Sequence, residues 1–262
     1  MEDVRKLRPW HIVILVLAFV STLTFTILRQ REAKEDELYN KVVTSFDTPE
    51  SHSAFNELIT HRGAHAHQLI LKIATDNSGF IGSVQIDAIR FLGQTGDSET
   101  ADHLALLVRP WRGVEVRAAA VDSLLNLPCS AECVHLVLDY KERMSRGDVS
   151  AEAMLDSEIP NEIRERENEV DQKLDRVLLK NKRDMLRSLI DIYGLGEIEV
   201  SPFALHLIRE LKLTEACRFM RVDKRFPPSP NEGTLFPRFA AAREQINATR
   251  QQVCERSSSV TP

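Results

Sequence analysis

Histidine recurs at one place in a short pattern: Ser98-x-x-Ala101-x-His103-Leu104, Ser130-x-x-Cys133-x-His135-Leu136 and Ser201-x-x-Ala204-x-His206-Leu207. An imidazole can ligate a metal, move a proton near neutral pH or serve as a half-buried polar group. His103, His135 and His206 are therefore candidate site residues. Equivalent positions on packed helices stand about 8–10 Å apart, too far to close on one ion. The chemistry expected of them is a hydrogen bond at the seam between neighbouring units, with no metal.

Arg109-Pro110-Trp111-Arg112-Gly113 is the second candidate. A tryptophan between two arginines in a loop has the composition of a binding hot spot, so Arg109, Trp111 and Arg112 are read as partner-binding residues. The alternative is that Trp111 folds back over the end of its unit and shields the core. His61, His65 and His67 cluster as well, but no acidic or cysteine ligand stands at helical spacing with them, which argues against a metal site. Cys129, Cys133, Cys217 and Cys254 are an even set that permits disulfides in an oxidising compartment and equally permits buried thiols. The chain has no glycine-rich phosphate loop, no Gly-x-Ser-x-Gly, no His-Glu-x-x-His and no Cys-x-x-Cys. No cofactor is expected, and a binding protein is favoured over an enzyme.

The recurring histidines belong to a larger repeat. Residues 84–106 and 116–138 align without a gap at a period of 32, matching at Val84/Val116, Ala88/Ala120, Leu92/Leu124, Ser98/Ser130, His103/His135 and Leu106/Leu138. Such a period is that of a helix pair. Val84, Ala88, Ile89 and Leu92 make one apolar stripe, leaving Gln85, Asp87 and Arg90 to face away. The serine that opens each motif is placed to cap the second helix, whose buried stripe includes Leu104, Leu107 and Val108. Neither helix buries its stripe alone, so the units must stack.

The run Glu115-Val116-Arg117-Ala118-Ala119-Ala120-Val121-x-x-Leu124-Leu125-x-Leu127-Pro128 resembles the first helix of a HEAT-type repeat, the short variety also found in phycobilisome-lyase-like proteins. The resemblance spans residues 83–140 and is fainter over 50–75 and 185–212. It implies a right-handed α-solenoid whose inner face holds a protein partner. It also leaves an alternative, a lyase-like or metal-dependent protein using the recurring histidines.

These elements need a frame. Residues 9–28 form an apolar run with no charge between Arg8 and Arg29, long enough to cross a bilayer as a helix. No small-x-small cleavage site follows, so the run reads as an uncleaved single-pass anchor. Arg5, Lys6 and Arg8 on one side nearly balance Arg29, Arg31, Lys34 and Lys41 on the other. The short tail of residues 1–8 favours a signal-anchor layout, with the tail inside and the helical domain outside the cytoplasm, periplasmic in a bacterium. Residues 29–47 continue as an amphipathic stalk through Leu38, Val42 and Phe46.

The all-α solenoid of about four helix pairs is placed at residues 48–212. Asp47-Thr48-Pro49-Glu50 signals its first helix, with Phe55, Leu58 and Ile59 buried. Gly63-x-x-Ala66-x-Gln68-Leu69 is a degenerate copy of the motif. Residues 141–184 form an insertion: a loop to Pro160 around Ala153, Met154 and Leu155, then one long helix, Asn161 to Tyr193, of about 50 Å. Its apolar stripe is Val170, Leu174, Val177, Leu178, Met185, Leu186, Leu189 and Ile190. A free coiled coil is disfavoured because Glu167, Asn181 and Asp184 fall at seam positions. The last half of that helix would open the fourth pair, ended by Gly194-Leu195-Gly196, with Ser201-Pro202 starting its partner and Phe203, Leu207, Ile208 and Leu211 inward.

Residues 213–262 form an extension in which Phe226-Pro227-Pro228-Ser229-Pro230 is extended and, with Phe236 and Phe239, lies along the solenoid end. Residues 237–255 make a last helix, and Arg256 to Pro262 are expected to be disordered. A net charge of −5 without a basic stripe argues against a dedicated nucleic-acid binder. With 43% hydrophobic and 28% charged residues the composition is that of an ordinary globular chain.

Overall fold

In the computed structural model, residues 9–45, 47–76, 82–146, 161–194, 201–220 and 237–255 are described. All regular structure among them is helical. They divide into two units, residues 1–88 and 89–262. The expectations for the N-terminal tail, Phe46, the 147–160 loop, Leu195-Gly196, the proline run and Arg256 to Pro262 lie outside the described residues.

The first unit begins with α1, Pro9–Thr44, the one helix among the described residues long and apolar enough to cross a membrane. From Trp10 to Lys34 its described side chains are exposed, and only from Glu35 do they turn inward. Within the apolar part Thr22, Thr24 and Thr26 donate their hydroxyls to the carbonyls of Ala18, Val20 and Thr22, each at 2.8 Å. These threonines therefore present no unsatisfied donor to an apolar surrounding.

The last turns of α1 pack on α2, Pro49–Leu58, and α3, Ala64–Ala74. Leu38 and Val42 meet a core that includes Phe55, Leu58, Leu69, Ile70 and Ile73, each 4% exposed or less. Each such side chain contributes about 1.5–3 kcal/mol relative to leaving it in water. Thr48 caps α2 through Ser51 N–H, and Pro49 stands in its first turn, as the sequence indicates. Helix α4, Ser83–Thr95, starts in this unit and ends in the next.

Gln85 was expected to face away, yet it is buried at 6% exposure. Its amide donates to the carbonyls of Ala74 and Asp76 at 3.0 and 2.8 Å. The end of α3 leaves carbonyls without helical donors, and Gln85 satisfies two of them.

The second unit holds α5, Ser98–Ala105, a 3₁₀ turn at Leu106–Val108, α6, Val114–Asn126, and α7, Ala131–Ser145. Helix α7 runs through Lys141 to Ser145, where the sequence had suggested a loop. Then come α8, Asn161–Lys180, α9, Lys182–Asp191, and α10, Pro202–Glu210. A 3₁₀ turn at Thr214–Arg218, α11 at Pro237–Arg250 and a π turn at Gln251–Glu255 complete it.

Packing in this unit skips along the chain: α5 lies on α6 and α7, α6 on α8, and α7 on α8 and α9. Helix α10 lies on α11 and the π turn. Close approach is possible at Gly93, where an added Cβ would stand 2.5 Å from Ser123 Cβ. There the Ser123 hydroxyl donates to Ile89 O at 2.9 Å and ties α6 to α4.

Two expectations are corrected. Asn161 to Tyr193 is not one helix, because it breaks at Asn181, whose side-chain amide donates to Val177 O at 2.8 Å. Asparagine competes for backbone groups in this way and is a poor helix-interior residue. Of the three motif serines, only Ser130 caps by its side chain, accepting from Glu132 and Cys133 N–H. Asp97 takes that role for α5, accepting from Thr100 N–H at 2.9 Å, and Ser201 makes no side-chain cap.

Candidate binding site: the Arg109 to Gly113 turn and its buried anchor

Arg117 is fully buried in α6, among Ala118, Ala119, Ala120 and Val121. A guanidinium there must be paired and fully hydrogen-bonded. Its two terminal nitrogens grip the Glu167 carboxylate of α8, Nη1 at 2.6 Å from Oε2 and Nη2 on Oε1. Nη1 also donates to the Tyr140 hydroxyl of α7 at 3.1 Å. Nε donates to the Arg112 carbonyl at 2.9 Å. One side chain thus joins three helices to the loop that precedes its own. Burial raises the Tyr140 phenol above its ordinary range against the opposing Arg117 charge, with the Glu167 charge adding to the rise, so it stays protonated.

That loop is a β-turn. Arg112 N–H donates to Arg109 O at 3.0 Å, and Pro110 is fixed and buried at the second position. Trp111 at the third position is 52% exposed, so about half of its side chain is open to solvent. The Arg109 guanidinium lies 5.2 Å from the centroid of its ring. Apart from Leu179 and Ile192, Trp111 is the only large exposed hydrophobic residue described outside α1. The arrangement presents an aromatic face and a cation on a turn fixed from below, which requires little ordering on binding.

Beside the anchor, α7, α8 and α10 frame an open cleft. Lys141 Nζ sits 3.0 Å from Asp171 and 2.5 Å from Asp175. Burial pulls the Lys141 pKa down, but its hydrogen bond to Asp175 and the charges of both aspartates outweigh this and leave it above its ordinary value. Asp175 is raised, chiefly by burial and further by the Asp171 and Glu210 charges, despite Lys141. Tyr193 nearby is raised as well, through burial and then the charges of Glu142 and Asp139.

The three motif histidines do not form one site. His103 on α5 and His135 on α7 are half-buried, whereas His206 on α10 is exposed. Nδ1 of His135 is sealed from solvent without a hydrogen-bond partner among the described residues. His206 stands 3.7 Å from Glu210 of its own helix, so the expected bond across a seam is not what holds it. The candidate metal ligands that come together among the described residues are instead Asp171, Asp175 and Glu210, with Lys141 already between the two aspartates.

In the first unit His61 and His65 do meet acids, Glu35 at 3.0 Å and Asp36 at 2.9 Å. Those partners come from α1 by tertiary packing, which helical spacing within the cluster could not show. Cys129 is bonded to Cys133 at the start of α7, and Cys217 to Cys254, a Cα separation of 5.9 Å.

Sequence reading missed the anchor itself. Two signals pointed to it: Arg117 falls on the apolar stripe between Val114 and Val121, and Glu167 falls at a seam position of α8. Two opposite charges on faces that ought to be apolar are candidates for a pair. Compared with known proteins, the chain finds no match: no family model, no curated protein and no solved structure is similar to it.

Proposed function

We propose that this chain is a single-pass membrane protein whose helical-repeat domain, a HEAT-like solenoid, binds a protein partner outside the cytoplasm and catalyses no reaction. The observation that carries the reading is Trp111, exposed on a turn that Arg117 fixes from below. Aromatic and arginine side chains on a rigid support dominate binding energy at protein interfaces. Arg109, Trp111 and Arg112 form the contact, and the second helices that carry His103 and His135 form the flanking face.

Three further observations support the reading. The pairwise skipping of α5 to α7, α6 to α8 and α7 to α9 is what stacked helix hairpins produce. The unpacked apolar length of α1 suits a membrane anchor. The Cys217–Cys254 disulfide suits an oxidising compartment.

The test is site-specific photocrosslinking in intact cells, with a photoreactive phenylalanine at position 111 and a control at Arg187, an exposed residue of α9 outside the flanking helices. A discrete crosslinked protein from position 111 and none from 187 is the expected result. Equal or absent crosslinking at the two positions would remove the site. Protease digestion of a C-terminal tag without breaking the cytoplasmic membrane tests the topology, and protection would reverse it.

A further inference from the structure

The cleft between α7, α8 and α10 has a volume of about 260 Å³. Its walls are of two kinds. Tyr140, Met144 and Phe203 supply aromatic and thioether surface, and Glu167, Asp171 and Glu210 supply carboxylates. Phe203 is packed against Tyr193, ring centroids 5.4 Å apart, so that wall is fixed. The mouth is open at His206 and Glu210, whose side chains are 60% and 38% exposed.

Charge in this cleft is unbalanced. Glu167 is matched by Arg117, and Lys141 is shared between Asp171 and Asp175. Among the described residues that leaves one aspartate charge and Glu210 without a full cation, with the exposed His206 beside Glu210. The carboxylate oxygens of Asp171, Asp175 and Glu210 lie within 4.8 Å of one another. Like charges at that separation favour any added cation.

We propose that this cleft binds an organic cation, an alkylammonium or guanidinium group the size of a lysine or arginine side chain. Its charged head would sit between Glu210 and Asp171, and its alkyl stem would lie on Met144, Phe203 and Tyr140. Aromatic faces and thioethers suit such a stem and the edge of the cation. A divalent metal fits less well, because it must first displace the part-buried Lys141 ammonium from both aspartates. The volume is below that of cavities for drug-sized ligands and suits a single side chain or a small diamine.

The test uses the full chain in detergent and calorimetric titration with three probes: agmatine, an acetyl-Gly-Arg-Gly-amide peptide, and calcium chloride. Saturable binding of agmatine or of the peptide is expected, and preference between them tells a free amine from a polypeptide side chain. Glu210→Gln should weaken that binding roughly tenfold, the loss of one charge-assisted contact. Glu210 is at the exposed end of α10, so the variant keeps the fold, which an unchanged circular dichroism spectrum would confirm. Trp111→Ala should leave the binding intact, separating this site from the turn. Absence of saturable binding by both organic probes, indifference to Glu210→Gln, or stronger binding of calcium that excludes agmatine would each overturn the proposal.

Discussion

Arg117 of α6 and Glu167 of α8 are joined as a two-pronged ion pair, the guanidinium fully buried and the carboxylate side chain 17% exposed. Fifty residues of sequence separate them, and the pair also holds Tyr140 and the Arg112 carbonyl. A charge in such a place is stable only with its partner, because desolvation of a lone ion outweighs most packing gains.

Arg117→Met is therefore expected to destabilise the second unit by up to about 3–5 kcal/mol, since the half-buried Glu167 carboxylate, the Tyr140 hydroxyl and the Arg112 carbonyl all lose their donor. The double variant Arg117→Met, Glu167→Met should recover a large part of that loss, because two apolar side chains of similar volume replace the pair. Urea unfolding of the single and double variants in detergent measures both. A double variant no better than the single one would mean that the pair holds no mutual dependence.

Gly93→Ala should be destabilising although alanine is the better helix former. The propensity gain is about 1 kcal/mol, whereas the new Cβ would stand 2.5 Å from Ser123 Cβ and 2.8 Å from Ser123 Cα. Overpacking against backbone costs typically about 1–3 kcal/mol, so the clash wins. Ser123→Gly in the same chain should relieve part of the loss. Thermal melts of the two variants decide it, and a Gly93→Ala protein that melts higher than the parent would show that α4 and α6 can separate there.

Much of the helical order was legible because it rests on local chemistry. The stripes of Val170, Leu174, Val177 and Leu178, and of Phe203, Leu207 and Ile208, follow the helical period and are buried. Thr48-Pro49 announces a helix start by capping and by proline geometry. What the pattern could not show is where a polar side chain finds its partner. Gln85 looks solvent-facing until the carbonyls of Ala74 and Asp76 arrive. The cap of α5 moved one residue, from Ser98 to Asp97, because carboxylate and hydroxyl compete for the same amides. His65 has no acid within its own helix, and His61 stands in the link between α2 and α3; both meet their acids only when α1 packs on them. The anchor under Trp111 was visible as two misplaced charges, but their pairing depends on α8 lying on α6, which no local rule supplies.

Acid should weaken the first unit partly through Asp47. The Ser83 hydroxyl and then the Ser83 N–H donate to its carboxylate, at 2.8 and 3.1 Å, and hold its pKa below the ordinary 3.8 against a small opposing effect of burial. A carboxyl lowered on folding contributes stability that is full above its unfolded value and is lost as pH falls through the folded one. Asp47 also has φ +58°, a conformation that asparagine tolerates. Asp47→Asn should thus lower the melting temperature at pH 7 and flatten its fall below about pH 4. Ser83→Ala should return the Asp47 carboxyl toward its ordinary value in an NMR titration. An Asp47 titration unmoved by Ser83→Ala would remove the explanation.

Cys217 and Cys254 fasten the 3₁₀ turn at Thr214–Arg218 to the π turn that ends the last helix, 37 residues further on. A cross-link over that length restricts the unfolded chain by about 4 kcal/mol in the loop-entropy description. Reduction, or Cys217→Ser with Cys254→Ser, should release Pro237–Arg250 and the π turn first, since their contacts are with α10 and the Thr214–Arg218 turn. The buried Ile246 and Val253 would then become exposed. Hydrogen exchange of the oxidised and reduced full chain checks this: amides of residues 237–255 should lose protection on reduction while those of α5 to α7 keep theirs. Equal protection of residues 237–255 in both forms would mean that packing alone holds the last helix.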